Sequence, residues 1–336
     1  MKNSYYQLYR FLLLSLLIVG CEPEEVYNTD TSQLTNENTE FYKNSNKSGI
    51  TVNQEAPYGG RASHTSTIFN KKMWVTGGIE SQTSFNDVWC SEDGTNWKIV
   101  NPSANFEPRY GHAMTPTKNS MWITGGMQGA TLFNDVWQSK DGKNWVQTTA
   151  NAPFSPRRFH SFTTFNGRMF LIGGRSQGTV NADIWVTDGT HWNLVTNFAP
   201  FGRRTGHTTV VYNNRIWVIG GLDQNNNYLN DVWYSDNGFV WNLATPGAQF
   251  APRRNQGLTA NEKGMWLTAG AGPNQNFFND IWFSQDGINW EIVTHPKNFS
   301  PRAYHTSLHF NNKLWILNGF SFEPDTIFYQ YIWGYD

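Results

Sequence analysis

One pattern recurs six times between Arg61 and Trp333. It runs from Arg-x-x-His, through an apolar stretch ending in Gly-Gly, to Asn-Asp-(Val/Ile)-Trp and, in the first five copies, on to Ser-x-Asp-Gly-x-x-Trp, with departures in some copies. The tryptophans of the third element are spaced by 48, 48, 48, 49 and 51 residues; they are Trp89, Trp137, Trp185, Trp233, Trp282 and Trp333. A period near 50 with several short β-type runs per copy is typical of a propeller, one blade per repeat. The sequence therefore predicts an all-β, six-bladed β-propeller over residues 49–336.

The first repeat shows how one blade is encoded. Ser63–Phe69 is predicted to form the inner strand a, and Met73–Thr76 the buried strand b. Gly77-Gly78 ends strand b where the backbone needs positive φ or a close approach. Asn86–Trp89 opens strand c, and Trp97–Val100 forms the outer strand d.

This repeat resembles the Kelch repeat, in which a glycine doublet closes the second strand and aromatic residues mark the third and fourth. The doublet occurs at residues 77–78, 125–126, 173–174 and 220–221, whereas repeats five and six have Ala269-Gly270 and Asn318-Gly319. The Ser-x-Asp-Gly-x-x-Trp turn also resembles the Asp-box of sialidase-type propellers. That resemblance implies a scaffold turn, with the Asp bonded to backbone N–H groups and the Trp packed beneath it.

The two ends of the repeat region predict how the ring closes. Repeat six stops at Gly334-Tyr335-Asp336, directly after strand c, and has no outer strand. Ile50–Asn53 aligns with Ile99–Pro102 of the first outer strand and its exit. We expect an N-terminal strand to complete the last blade, because this closure protects exposed strand edges.

The N-terminus carries an export pattern. Lys2 and Arg10 precede the short apolar run Phe11–Val19, which is too short to span a bilayer. Ile18-Val19-Gly20-Cys21 resembles the lipobox of bacterial lipoproteins, which implies a signal peptide over residues 1–20 and a lipid on Cys21. A plain cleaved signal with an unrelated cysteine is the alternative. The polar stretch 21–48 is predicted to be a flexible tether.

This resemblance implies a bacterial cell-envelope protein that is attached to the membrane, expected to be the outer membrane, through its lipid alone. Glu22, Glu24 and Glu25 resemble the export tag of surface-exposed lipoproteins in Bacteroidota-type bacteria. Surface exposure is therefore one possible location.

Composition excludes several classes of function. The net charge is −1 and only 15% of residues are charged, so nothing favours nucleic acid as a partner. No phosphate-binding loop, catalytic Ser-His-Asp signature or Cys/His metal spacing is present, so no cofactor, metal ligand or catalytic residue is assigned. The two cysteines give no disulfide framework, and Cys90 is interpreted as a packing residue of strand c.

Arg and His recur at the start of strand a. The arginines are assigned as Arg61, Arg109, Arg157, Arg204, Arg254 and Arg302. His follows three residues later at His64, His112, His160, His207 and His305, whereas repeat five has Gly257. A ring of cations could capture an anionic ligand. The favoured interpretation is structural, because a group present in every blade is usually needed by the blade.

Positions where the repeats differ are better candidates for a site. The connection before strand a and the loop after Gly-Gly open on the same face, which we take as the functional face. In repeats three to five a second arginine stands next to the repeated one on this face; these second arginines are Arg158, Arg203 and Arg253. The predicted ligand-binding residues are Arg158, Arg175, Tyr110, Tyr304, Glu80, Asp223, Asn255 and Gln256.

Three functions fit these features. The first is a lipid-anchored propeller that binds a protein or glycan partner through the Arg-bearing mouth of its channel. The second is a carbohydrate-active enzyme resembling Kelch-type sialic acid mutarotases and epimerases, or a lyase, with Glu80 or Asp223 acting beside Arg158 or Arg175. The third is a passive subunit of a surface assembly. Catalysis is the less favoured of the first two, because fold alone does not define a reaction.

Overall fold

A computed structural model describes residues 54–294, 299–322 and 326–335. These residues form six four-stranded antiparallel sheets, and each sheet is one blade with strand order a-b-c-d from the channel outwards. The predicted six-bladed β-propeller is therefore confirmed. The predicted signal peptide, Cys21 and the tether lie outside the described residues.

Each blade contributes one strand of each type. Strands a to d of blades one to three are Thr65–Phe69, Lys72–Thr76, Val88–Ser91 and Trp97–Asn101; Ala113–Pro116, Met121–Thr124, Val136–Ser139 and Trp145–Thr149; and Ser161–Phe165, Arg168–Ile172, Ile184–Thr187 and Trp192–Thr196. Those of blades four and five are Thr208–Tyr212, Arg215–Leu222, Tyr228–Ser235 and Asn242–Thr245; and Gly257–Asn261, Gly264–Ala271, Phe277–Ser284 and Glu291–Ile292.

Blade six is built from both ends of the domain. Its strands a to c are Thr306–Phe310, Lys313–Leu317 and Tyr331–Tyr335. The outer position is taken by Gln54–Glu55, which pairs antiparallel with residues 331 and 332. The predicted closure of the last blade by an N-terminal strand is confirmed, and the part of that strand that the structure describes is Gln54–Glu55. The stretch Ile50–Asn53, on which the prediction was based, lies outside the described residues.

The loops between strands b and c form small hairpins on one face. In blades one, two, three and six these hairpins are Ile79–Glu80 with Thr83–Ser84, Met127–Gln128 with Thr131–Leu132, Arg175–Ser176 with Thr179–Val180, and Phe320–Ser321 with Ile327–Phe328. In blades four and five, strands b and c continue into the hairpin, with a shift of pairing register on the way. A short 3-10 helix, Pro273–Gln275, lies at the tip of the hairpin of blade five. The hairpins therefore surround one end of the channel.

Apolar clusters lie between neighbouring blades and hold the ring together. The cluster between blades one and two contains Val88, Phe106, Met121 and Trp145, all buried. Phe106 and Trp145 meet edge-on with ring centroids 5.4 Å apart, and a comparable contact recurs at four other interfaces. Burial of one such side chain contributes roughly 1.5–3 kcal/mol. The packing unit is therefore the interface between two blades.

The Asp-Gly turns between strands c and d have the structure that the Asp-box resemblance implied. In blade one Asp93 accepts hydrogen bonds from the backbone N–H groups of Thr95 and Asn96, at 2.8 and 2.7 Å. The Trp97 indole donates to the carbonyl of Gly94 at 3.0 Å. Partial burial opposes ionisation of Asp93, but the hydrogen bonds outweigh it and lower the pKa of the carboxyl. These turns are scaffold, on the face opposite the hairpins.

No helix within the described ranges is long and apolar enough to cross a bilayer.

Candidate functional site

The repeated arginines are buried structural groups. In blade two the Arg109 side chain is fully buried and forms a bidentate pair with Asp135, at 2.6 and 2.8 Å. It also donates to the carbonyl of Gly125 at 2.9 Å, which ties strand a to the end of strand b. The other Arg-Asp pairs are Arg61–Asp87, Arg157–Asp183, Arg204–Asp231 and Arg253–Asp280. Carboxylates of the same blade neutralise these cations, as the structural interpretation expected.

The assignment of the repeated arginine in blade five was wrong. Arg253, not Arg254, is fully buried and pairs with Asp280. Arg254 takes the next position, where it forms a backbone bridge with Ala271, as Arg158 does with Arg175 in blade three. The extra arginines on the functional face therefore include Arg158 and Arg254 but not Arg253.

The same one-residue shift moves the histidine position of blade five from Gly257 to Gln256. Gln256 is buried, and its side-chain amide donates to the carbonyl of Ile219 at 3.0 Å and to the hydroxyl of Thr208 at 3.2 Å. Nothing in the sequence indicates this register, because the His that marks the position in the other five blades is absent from blade five. Gln256, predicted to bind ligand, thus holds two blades together from inside the channel wall.

Four of the five histidines, all except His160, also form hydrogen bonds to a hydroxyl of another strand inside the wall. His112 Nε2 lies 3.0 Å from the hydroxyl of Thr65 in the preceding blade, and His64 makes the same contact with Thr306. Burial lowers the pKa of all five imidazoles, and the charge of the arginine in the same blade adds to the effect. The pKa of His160 and of His305 is lowered to about 3. These imidazoles are neutral structural groups at physiological pH.

A closed ring of backbone hydrogen bonds narrows the channel beside the histidines. One residue per blade donates its N–H to the carbonyl of its neighbour in the preceding blade, at 2.7 to 3.0 Å. All six have positive φ, and they are Ser63, Gly111, Phe159, Gly206, Asn255 and Tyr304. Positive φ is uncommon outside glycine, so four side chains are held here in a conformation that the ring imposes. The ring borders a cavity of about 150 Å³ lined by the histidines.

Two aromatic side chains of this ring meet across the channel. Phe159 belongs to blade three and Tyr304 to blade six, which stand opposite each other, yet their ring centroids lie 5.6 Å apart. Tyr304 also contacts Phe320, which stacks with Phe328 of the same hairpin. Tyr110 is fully buried in the same cluster. The mouth on the hairpin face therefore has an aromatic floor.

Arginine side chains border this floor. The Arg158 guanidinium lies 5.1 Å from the centroid of the Phe159 ring. Arg254 reaches the same cluster through its backbone bridge with Ala271, and its guanidinium lies 5.5 Å from the centroid of the Tyr228 ring, outside the floor. Burial raises the pKa of the Tyr110 phenol, and the charge of Arg158 acts in the opposite direction. Arg175 is half-buried and is joined to Arg158 by two backbone hydrogen bonds, at 3.0 and 2.8 Å.

The structure thus brings five of the predicted residues together: Arg158, Arg175, Tyr110, Tyr304 and Asn255.

The two predicted carboxylates lie in b–c loops, each one residue after the bridge to the segment that precedes strand a. Asp223 uses both oxygens within its own loop, accepting from the backbone of Asn225 and Asn227 and from the Asn227 side chain, each at 2.8 Å. Glu80 is half-buried in the blade-one hairpin, paired with Thr83. Asp223 therefore acts as a turn-forming residue, and Glu80 is the other predicted carboxylate.

The other end of the channel has a feature that the sequence reasoning missed. A cavity of about 470 Å³ there is lined largely by hydroxyl groups, including those of Thr67, Thr115, Thr163, Thr209 and Thr259. The signal was the presence of at least one Ser or Thr in every inner strand. Throughout the described residues, no group of three or more His, Cys, Asp or Glu is arranged to hold a metal ion.

Comparison with known proteins supports the architecture. Residues 204–334 match the DUF6242 beta propeller domain, a region that contains blades four to six. The solved structure of YjhT is similar, with a TM-score of 0.65 and 17% sequence identity over 82% of this chain and 99% of that chain. A search of curated proteins finds no match. At this identity the likeness shows the fold alone, and the chain is identified as a six-bladed β-propeller.

Proposed function

We propose that this protein is a lipid-anchored, Kelch-type propeller of the bacterial envelope that binds an anionic glycan at the hairpin-face mouth of its channel. The observation that carries the proposal is the aromatic floor formed by Phe159 and Tyr304, bordered by Arg158 and Arg254. Only two of the six blades place arginine at this position. The corresponding residues of the other blades are Ala62, Tyr110, Thr205 and Ala303.

Each part of the mouth matches one part of such a ligand. Aromatic faces pack against the C–H surface of a sugar ring, and concave sites with a few placed polar groups favour small polar ligands. Guanidinium groups recognise carboxylates through paired, charge-assisted hydrogen bonds. The side-chain amide of Asn255, in the backbone ring, offers both a donor and an acceptor to sugar hydroxyls.

The envelope location is supported by the lipobox-like Ile18–Cys21 and by the polar stretch that follows it. An acylated Cys21 and a tether over residues 21–48 would let the propeller sample ligands away from the membrane surface.

Binding is favoured over catalysis because Asp223, one of the two acids named for the enzymatic alternative, is engaged elsewhere. Both carboxylate oxygens of Asp223 accept hydrogen bonds within its own loop, whereas the enzymatic alternative requires either Asp223 or Glu80 to act beside an arginine. That alternative now depends on Glu80. Turnover of a bound sugar that is lost in Glu80→Gln, with binding retained, would replace the binding proposal by the enzymatic one.

A thermal-shift screen against acidic and neutral glycans tests the proposal. A ligand that binds only the folded state at 100 times its Kd stabilises the protein by about 2.7 kcal/mol, or roughly 5 °C in Tm. We expect such a shift with an acidic glycan and its loss in Arg158→Ala/Arg175→Ala.

Arg215→Ala is the matched control, because Arg215 forms an exposed pair with Asp236 far from the mouth, at the a–b hairpin of blade four. It removes a positive charge without touching the site, so the glycan shift should persist. A shift that survives the double substitution would place the ligand elsewhere. No shift with any glycan would favour a protein partner, which capture from envelope extracts would then identify.

A further inference from the structure

In five blades one carboxylate accepts hydrogen bonds from a buried arginine and from a half-buried tryptophan. Asp135 accepts from both Nη atoms of Arg109 and, at 2.7 Å, from the indole Nε1 of Trp137. The equivalent indole-carboxylate bonds are Trp89–Asp87, Trp185–Asp183, Trp233–Asp231 and Trp282–Asp280. The Asp of the Asn-Asp-x-Trp motif is therefore the counter-ion of each blade.

Blade six keeps the donors but not this carboxylate. Its motif reads Gln330-Tyr331-Ile332-Trp333, so Tyr331 stands where the other blades have Asp. Trp333 holds the position of the other motif tryptophans, and Arg302 holds that of the other arginines.

Arg302 is buried, with only 3% of its surface exposed. Its Nε donates to the carbonyl of Ser300 at 3.1 Å, and its Nη1 to that of Asn318 at 2.7 Å. The Tyr329 ring lies 4.0 Å from the guanidinium carbon. Among the residues that the structure describes, no carboxylate lies within ion-pairing distance of Arg302. No described residue accepts a hydrogen bond from Arg302 Nη2, since the bonds of this side chain are made by Nε and Nη1.

The charge nevertheless remains at neutral pH. Burial lowers the pKa of Arg302 to about 10, which leaves the guanidinium protonated at pH 7. A buried charge without a counter-ion is strongly unfavourable, and stacking on one aromatic ring offsets only part of that cost. The place beside Arg302 where the other blades have a carboxylate is also accessible to solvent. The carboxylate side chains of those blades are 11 to 19% exposed, and Tyr331 is 41% exposed.

We propose that blade six binds a small monovalent anion, chloride or a formate-like carboxylate, in the place that Asp occupies in the other five blades. Arg302 Nη2 is its principal donor, and the anion stabilises the blade that closes the ring. This site lies within one blade and is independent of the glycan proposal.

The test compares thermal unfolding of the full chain with that of Tyr331→Asp, from 1 to 200 mM sodium chloride and, separately, sodium formate. Tyr331→Asp supplies the carboxylate of the other blades, so it should raise Tm at low salt and flatten the dependence on anion concentration. A site with a Kd of about 10 mM would increase the folding equilibrium constant about tenfold at 100 mM anion. Non-specific salt effects act on both proteins and cancel in the comparison.

Asp280→Tyr provides the converse variant, because it creates the blade-six arrangement beside Arg253. It should lower Tm at low salt and steepen the anion dependence. A steeper response to formate than to chloride would identify a carboxylate ligand, and equal responses any small anion. Parallel curves for the parent and Tyr331→Asp would overturn the proposal, as would an Asp280→Tyr curve no steeper than the parent's.

Discussion

At the scale of single residues, the groups that recur in every blade serve the blade. The guanidinium of Arg109, for example, satisfies a carboxylate and a strand-end carbonyl of its own sheet, and the His112 imidazole bonds to the preceding blade. Residues that differ between blades, such as Arg158, Tyr304 and Tyr331, are those that alter the mouth or create an unusual charge. Ligand candidates therefore come from departures from the repeat.

His112→Gln tests the neutral role of the wall histidines. Because folding lowers the pKa of His112, the unfolded chain binds more protons at this residue below about pH 6.5, and stability must fall as the pH decreases. Gln256 shows that Gln can make the corresponding bond to the preceding blade. We expect similar stability at pH 8, and a slope of unfolding free energy between pH 5 and 6 that is smaller by about 1 kcal/mol per pH unit.

Urea unfolding across this pH range gives the measurement. Identical slopes for the two proteins would mean that the imidazole is protonated equally in the folded and unfolded states.

At the scale of elements, the Asp-Gly turn connects one blade to the one before it. Gly142 has a φ of +75°, and a Cβ there would collide with the Trp74 ring of blade one. Gly94, Gly189, Gly238 and Gly287 make corresponding contacts with Trp315, Trp122, Phe170 and Trp217. Glycine is thus required both by backbone conformation and by an aromatic side chain of the neighbouring blade.

Comparing Gly142→Ala with Gly129→Ala separates these two requirements. Gly129 also has positive φ, at +55°, but a Cβ there would meet no atom within 4 Å. Both substitutions incur backbone strain, and only Gly142→Ala also forces a shift of a packed ring. We expect Gly142→Ala to be less stable by about 1–3 kcal/mol more than Gly129→Ala, measured by urea unfolding. Equal losses would show that the turn glycine is needed for its conformation alone.

At the scale of the whole molecule, the ring is closed twice. Gln54–Glu55 completes blade six from the N-terminal side, and six backbone hydrogen bonds join neighbouring blades around the channel. Both closures depend on contacts between residues far apart in sequence, such as Ser63 with Tyr304. The result is a rigid support for the aromatic floor.

Cys21→Ser tests how the whole molecule reaches the membrane. Serine lacks the thiol to which the lipid is attached, so the exported variant should lack its lipid. In detergent phase partitioning we expect the parent in the detergent phase and Cys21→Ser in the aqueous phase. A variant that stays in the detergent phase would rule out Cys21 as the anchor.

The sequence alone was sufficient for the blade count, the strand order and the N-terminal closure, because these follow from periodicity and from local hydrogen bonding repeated in each blade. The assignment of Arg254 as the repeated arginine of blade five was wrong. Pro252-Arg253-Arg254 offers two arginines, and the His that would identify the right one is replaced by Gln256. Only the tertiary structure decided that Arg253 pairs with Asp280 and that Phe159 meets Tyr304 across the channel. Such contacts join residues that local patterns do not relate, and only closure of the ring brings them together.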